Sequence, residues 1–128
     1  SGVYADASSP GTFADSIAVR TPANAVMARR VLIESQGTSV TVSDDEIRAA
    51  QAQLARTSGV FAEPAAAATI VGLAKMRESG WLSADDQVVA LITGHGLKDV
   101  DAALSGVTVP SPVAPELSAV LSRLAVRG

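Results

Sequence analysis

The fold is indicated first by the stretch Val88-Val89-Ala90-Leu91-Ile92-Thr93-Gly94-His95-Gly96-Leu97-Lys98-Asp99. Its first five residues are apolar and mostly β-branched, which is typical of a strand buried on both faces inside a parallel sheet. Thr93 ends this run, a Gly-x-Gly turn follows, and Leu97-Lys98-Asp99 opens a helix. Open α/β sheets bind ligands at the carboxyl ends of their strands, where a glycine turn exposes backbone N–H groups. The stretch therefore predicts an α/β fold with a ligand site after residue 92.

Composition limits the class of protein. A chain of 128 residues suffices for one domain with one core. Because 48% of the residues are hydrophobic but only 3% aromatic, the core must consist of Ala, Val, Leu and Ile, which bury little area per residue. The net charge of −3, with basic residues scattered along the chain, argues against a nucleic-acid partner. The absence of cysteine excludes disulfides and cysteine-type zinc sites. Because the sequence has no signal pattern and no apolar run of membrane-spanning length, we expect a cytoplasmic protein without a membrane partner.

Local patterns predict the order of the elements. Ser43-Asp44-Asp45-Glu46 is a capping box at the start of a helix that exposes Arg48, Gln51 and Gln53. Pro64 suits the first position of the next helix, and Gly80 stops it. A strand, a helix pair and a second strand fit a right-handed parallel crossover. The predicted helices span 25–36 (well buried, with Gly37 as C-cap), 43–58, 64–79, 100–104 and 116–126, and the predicted strands span 38–42 and 88–92; prolines prevent regular structure over 105–115.

Five motifs together resemble one enzyme family. They are Thr93-Gly94-His95-Gly96-Leu97-Lys98-Asp99, Ala14-Asp15-Ser16-Ile17, Val42-Ser43-Asp44-Asp45-Glu46-Ile47, Gly59-Val60-Phe61-Ala62-Glu63-Pro64-Ala65-Ala66-Ala67-Ala68 and Leu73-Ala74-Lys75. In order and spacing, over residues 12–113, they resemble the C-terminal third of threonine synthase, a pyridoxal-phosphate enzyme of the tryptophan-synthase-β-like fold (fold type II). The resemblance implies an α/β fold, namely a three-layer part of a parallel-sheet pyridoxal-phosphate domain with helices packed on a small sheet. It also implies that residues 1–104 belong to the large cofactor domain and residues 105–128 to a proline-rich tail with a C-terminal amphipathic helix.

The resemblance assigns cofactor contacts to Thr93, Glu63 and Gly94. A hydroxyl at the place of Thr93 hydrogen-bonds the pyridine nitrogen of pyridoxal phosphate without forcing its protonation, which suits elimination and replacement reactions. The alternative is that Thr93 is simply a β-branched residue at a strand end. Glu63 is expected near the cofactor ring, where four small residues after Pro64 allow a close approach. The equally weighted interpretation, which does not exclude the first, is that Glu63 caps its own helix.

Other polar residues receive structural interpretations. His95 is the single histidine, which excludes a catalytic triad or a multi-histidine metal site within the chain, and we expect a structural or supporting role for it. The acidic pairs Asp44-Asp45 and Asp85-Asp86 are interpreted as solvated caps because they lack calcium-loop spacing. No metal site and no catalytic residue is therefore predicted in this chain.

The chain lacks part of the family's catalytic machinery. Such enzymes form a Schiff base with a lysine in a Ser-Phe-Lys-x-Arg-Gly context, and neither Lys75 nor Lys98, the two lysines present, has these neighbours. The leading hypothesis is the C-terminal part of an enzyme that converts O-phospho-L-homoserine and water to L-threonine and phosphate, inactive without its N-terminal remainder. One alternative is a fragment of a threonine or serine dehydratase. The other is a non-catalytic remnant that forms a homodimer or binds a partner through exposed apolar faces.

Overall fold

The computed structural model describes residues 11–125, and its regular structure is helical. Within these described residues, five α-helices and two short 3-10 helices follow one another. They are a 3-10 helix at Asp15–Ile17, α1 Ala25–Glu34, α2 Asp44–Ser58, α3 Pro64–Glu78, a 3-10 helix at Gly96–Lys98, α4 Val100–Ser105 and α5 Leu117–Ala125. The five predicted helices are confirmed, with ends that differ from the predicted ones by up to two residues, and Val126 lies outside the described residues.

The predicted parallel sheet is not formed, and this part of the fold prediction is wrong for residues 11–125. Neither 38–42 nor 88–92 is a strand, and β-pairing in the described part is limited to one antiparallel bridge between Ala62 and His95. The expected crossover and the double-sided burial of 88–92 are absent as well, since Val89 is 85% and Leu91 is 71% exposed. The physical reason is that a strand exists only through ladder hydrogen bonds to a neighbour, and the two candidate segments do not pair with each other.

The core lies between α2 and α3 and is built from small side chains. Its buried members are Ala14, Ile47, Ala62, Ala66 and Ala67. Ile47 is the largest fully buried side chain, so the prediction of a core with little area per residue is confirmed. The alanines at the start of α3 let α2 and the segment around Ala14 approach that helix closely.

Local chemistry fixes the ends of α2 and α3 as predicted. The Glu46 N–H donates to Ser43 Oγ at 3.3 Å, and the Ser43 N–H donates to Glu46 Oε2 at 2.7 Å, which completes the capping box. Pro64 occupies the first turn of α3. At the end of α3, Gly80 adopts a φ of 76°, and the Trp81 N–H reaches back to the Met76 carbonyl at 3.0 Å.

α1 differs from its prediction in burial and in its C-terminal cap. None of its residues is buried, because no other element within residues 11–125 covers its apolar faces. Gln36, with a φ of 54°, takes the left-handed position that was predicted for Gly37. Gly37 instead donates its N–H to the Leu32 carbonyl at 2.8 Å, one position later in the same capping motif.

The remaining segments agree with the sequence. Irregular structure was predicted over 105–115, and apart from Ser105, which ends α4, this is confirmed. α5 follows with no buried residue. Among the helices of residues 11–125, none has the length and apolar character required to cross a bilayer.

Candidate functional site

The Gly94–Gly96 turn is held against the segment that leads into α3. The Glu63 N–H donates to the Gly94 carbonyl at 2.9 Å, and the Gly96 N–H donates to the Phe61 carbonyl at 2.8 Å. These two bonds form the antiparallel bridge between Ala62 and His95. The residue that follows the predicted strand, Thr93, is therefore fixed one position before a hydrogen-bonded turn.

Close approach explains both glycines of the turn. A Cβ built on Gly94 would overlap the carboxyl group of Glu63. A Cβ on Gly96 would lie 2.5 Å from Cε1 of Phe61, well inside contact distance. The turn can pack this tightly only because neither position carries a side chain.

Glu63 is a buried carboxylate with two side-chain partners. Only 6% of the residue is exposed, and its Oε2 accepts from Ser16 Oγ at 3.2 Å and from Lys98 Nζ at 3.2 Å. Lys98 Nζ also donates to Ser16 Oγ at 3.3 Å, so the three groups form a triangle. We call Ser16, Glu63 and Lys98 the carboxylate triangle. Glu63 also stands at the N-cap position of α3, as the alternative interpretation expected, but its side chain makes no cap hydrogen bond to that helix.

Two separate cavities lie beside the contact between Gly94 and Glu63, and Gly94 lines one while Glu63 lines the other. One, of about 420 Å³, is lined by Gly59, Val60, Phe61, Ile92, Thr93, Gly94 and His95. The other, of about 320 Å³, is lined by Asp15, Glu63, Pro64, Lys98, Asp99, Val100 and Asp101. The structure thus brings Gly94 next to both Thr93 and Glu63, while the side chains of Thr93 and Glu63 face different cavities.

Thr93 shares its cavity with two ring side chains, those of Phe61 and His95. Thr93 itself is exposed. His95 accepts a hydrogen bond on Nδ1 from the Leu97 N–H at 3.1 Å, and its ring meets the Phe61 ring edge-on with centroids 6.0 Å apart. These contacts give His95 the structural role that was predicted for it.

Gln51 is a residue that sequence reasoning missed. It was assigned to the exposed face of α2, but it is 6% exposed, and its Nε2 donates to the Ala62 carbonyl at 2.7 Å. The spacing could have revealed it, since Gln51 lies four residues after the core residue Ile47 and therefore shares its helix face. Gln51 therefore helps to hold Ala62, the residue that forms the β-bridge with His95.

One member of each acidic pair makes structural hydrogen bonds. Asp44 is more than a solvated cap, because it accepts from Thr12 Oγ1 at 2.6 Å and from the Phe13 N–H at 3.1 Å, and these bonds lower the pKa of its carboxyl group. Asp86 accepts from the Ser83 N–H at 2.6 Å and closes a turn, as expected of a cap. Within residues 11–125, no group of three or more His, Cys, Asp or Glu side chains is placed to hold a metal ion.

Comparison with known proteins defines the class. The profile of the family described as "Pyridoxal-phosphate dependent enzyme" matches residues 1–94, and the chain belongs to this family. Its relatives include threonine synthases: that of Methanocaldococcus jannaschii is 41% identical over 115 residues, covering 90% of this chain and 28% of the relative. That of Mycobacterium tuberculosis strain H37Rv is 42% identical over 117 residues, covering 91% and 32%. That of Halalkalibacterium halodurans is 42% identical over 106 residues, covering 83% and 30%. The chain thus spans about three tenths of the length of these curated relatives.

The family's cofactor is pyridoxal phosphate, and the Thr93 cavity suits one part of it. A volume of about 420 Å³ lies within the range of small-molecule sites, and Thr93 supplies a neutral hydroxyl at its wall. The lining includes no lysine or arginine, so this cavity fits the aromatic ring of the cofactor and not its phosphate group.

Proposed function

We propose that this chain is the C-terminal part of a threonine synthase, whose complete form converts O-phospho-L-homoserine and water to L-threonine and phosphate. The observation that carries the proposal is the identity of 41–42% to threonine synthases over about nine tenths of the chain. In this proposal residues 1–104 belong to the large cofactor domain, and residues 105–128 form its tail and last helix.

In the proposed site, Thr93 and Gly94 form one wall of the ring pocket. The Thr93 hydroxyl would hydrogen-bond the pyridine nitrogen, and Gly94 would let the ring approach the backbone. Glu63 supports this wall from the other side, because its carboxyl group abuts Gly94. When bound, the cofactor supplies an electron sink for the carbon chemistry of the amino-acid substrate. The residues of this chain orient the ring and leave its nitrogen unprotonated.

The two lysines of the chain are engaged elsewhere. Lys75 Nζ donates to the Thr41 carbonyl at 2.8 Å and pairs with Glu46 at 2.8 Å. Lys98 Nζ pairs with Glu63, and neither lysine lines the Thr93 cavity. We therefore propose that the lysine that binds the cofactor covalently, together with the phosphate-binding loop, belongs to an N-terminal remainder of the enzyme and that this chain alone is inactive.

Two measurements test the proposal. The first is the mass of the protein as its own cell produces it, read under denaturing conditions; a chain about three times longer than 128 residues is expected. The second is turnover by that full-length protein. Release of phosphate from O-phospho-L-homoserine with formation of L-threonine would support the synthase. Release of ammonia from threonine or serine would support the dehydratase alternative instead. A native product of 128 residues that binds no cofactor, even with a partner, would favour the non-catalytic remnant. The cytoplasmic location and a homodimer stay predictions.

A further inference from the structure

Charge balance at Glu63 depends on a single exposed lysine. The Glu63 carboxylate is buried, and a buried carboxylate is costly unless it is paired and hydrogen-bonded. Its partners in the described residues are the Ser16 hydroxyl and the Lys98 ammonium group. The side chain of Lys98 is 66% exposed, so this lysine contributes charge and a hydrogen bond without filling the core.

The same lysine closes a ring of contacts around the turn. Gly94 is tied to Glu63 through the backbone bond of 2.9 Å, and Lys98, four residues later, returns to the carboxylate of the same Glu63 at 3.2 Å. Residues 94–98 are therefore held to Glu63 at both ends. A shift of the carboxylate would press on Gly94, because no space separates the two groups.

We propose that Lys98 and Ser16 are positioning residues of the cofactor site: they hold the Glu63 carboxylate against Gly94, and this contact sets the place of the Thr93 hydroxyl. The inference rests on the proposed cofactor site but not on which amino-acid reaction the complete enzyme performs. Neither residue touches the Thr93 cavity, so both act through Glu63 and Gly94.

The test uses the full-length protein loaded with pyridoxal phosphate, with Lys98→Met as the main variant. We expect its cofactor dissociation constant to rise about tenfold, as for the loss of one charge-assisted hydrogen bond, and the absorbance band of the bound cofactor to shift. Lys98→Arg should restore both values, since arginine keeps the charge and the donor. Ser16→Ala should change both in the same direction by a smaller factor.

Lys75→Met is the matched control. Lys75 is also a lysine paired with a glutamate, at 2.8 Å, but its partner Glu46 lies at the start of α2, away from Gly94. This variant should lower the unfolding midpoint and leave the cofactor band and the cofactor dissociation constant unchanged.

Distinct outcomes decide the two proposals separately. Lys98→Met with the wild-type band and dissociation constant would overturn the positioning role, and so would equal effects of Lys98→Met and Lys75→Met. If Lys98→Met does not fold, Ser16→Ala carries the test, and an unchanged cofactor band would overturn the role. A wild-type protein that binds the cofactor but makes no threonine would refute the proposed reaction while the absorbance measurement still reports on Lys98. A wild-type protein that binds no cofactor would overturn both.

Discussion

The backbone N–H of Glu63 donates to the carbonyl of Gly94 at 2.9 Å, and the carboxyl group of the same glutamate fills the space that a side chain at position 94 would need. Glu63 thus constrains Gly94 in two ways: by the backbone hydrogen bond and by occupying the space beside the Gly94 Cα. The contact joins the start of α3 to the residue that follows Thr93, although 31 positions separate the two along the sequence.

Gly94→Ala is expected to disrupt this contact. The added methyl group would displace the Glu63 carboxylate from Ser16 and Lys98, at a cost of about 1–3 kcal/mol in the free energy of unfolding. Cofactor affinity should fall with it, as measured by titration of the full-length apoprotein. Gly106→Ala is the matched control, because the nearest atom to its added Cβ is a carbonyl oxygen at 3.7 Å. Equal behaviour of the two variants would contradict the steric explanation.

Thr93→Val tests the proposed hydrogen bond to the cofactor ring. Because Thr93 is exposed and valine has nearly its shape, the free energy of unfolding should change by less than about 0.5 kcal/mol. Loss of one neutral hydrogen bond should weaken cofactor binding by about tenfold or less and lower activity of the complete enzyme. Thr69→Val, at an exposed position on α3, should change neither quantity. Full activity and unchanged affinity in Thr93→Val would remove Thr93 from the cofactor site.

Gln51→Leu is expected to destabilise the protein despite its apolar gain. The Ala62 carbonyl would lose its buried partner, which costs about 1–3 kcal/mol in the free energy of unfolding. Gln53→Leu, on the exposed side of the same helix, should change it by less than about 0.5 kcal/mol. Chemical denaturation of the full-length variants measures the difference, and similar midpoints for the two would show that the Gln51 bond contributes nothing.

Acid should weaken the link between α2 and α3. The Lys75 ammonium group and the N–H and hydroxyl of Ser43 bind the charged form of Glu46 and lower the pKa of its carboxyl from 4.5 to about 2. The folded-state pKa is therefore below the unfolded one, so the stabilisation is complete above pH 4.5 and is lost as the pH falls toward 2.

Glu46→Gln should flatten this part of the stability curve. The measurement is the urea midpoint of the full-length wild type and of the variant at several pH values between 4.5 and 2. The difference between the two midpoints is followed with pH, because Asp44, whose pKa is also lowered, is present in both proteins and its contribution cancels. Glu78→Gln, at the exposed end of α3, should keep the acid dependence of the wild type. A difference that does not change with pH would rule out a contribution from Glu46.

Local signals predicted what is locally determined. The capping box at Ser43 and the stop at Gly80 depend on residues within one helical turn, and both were predicted correctly. The predicted strand at 88–92 would need a neighbouring strand to pair with. The β-branched pattern of Val88 and Val89 does not indicate whether such a neighbour lies within residues 11–125.

The same distinction between local signals and tertiary contacts applies to the candidate site. The motif around Thr93 predicted a glycine turn after residue 92, and the structure contains a hydrogen-bonded turn there, while the cofactor role of Thr93 stays a prediction. The small residues after Pro64 indicated a close approach at the start of α3. The inward position of Gln51 could have been inferred from its spacing of four residues after Ile47. The pairing of Lys98 with Glu63 is a tertiary contact that depends on how α3 and the turn pack together, which single-residue patterns do not encode.

The carboxylate triangle has a consequence for the order of events during synthesis. Ser16 and Glu63 are 47 residues apart, and Ser16 and Lys98 are 82 residues apart. On the ribosome, Glu63 emerges well before the lysine that balances its charge, and contacts between distant residues form late because the intervening loop must first be closed. We therefore expect a nascent chain arrested before Lys98 to keep its glutamate in water, so that the wall of the proposed cofactor site closes only after translation has passed that codon.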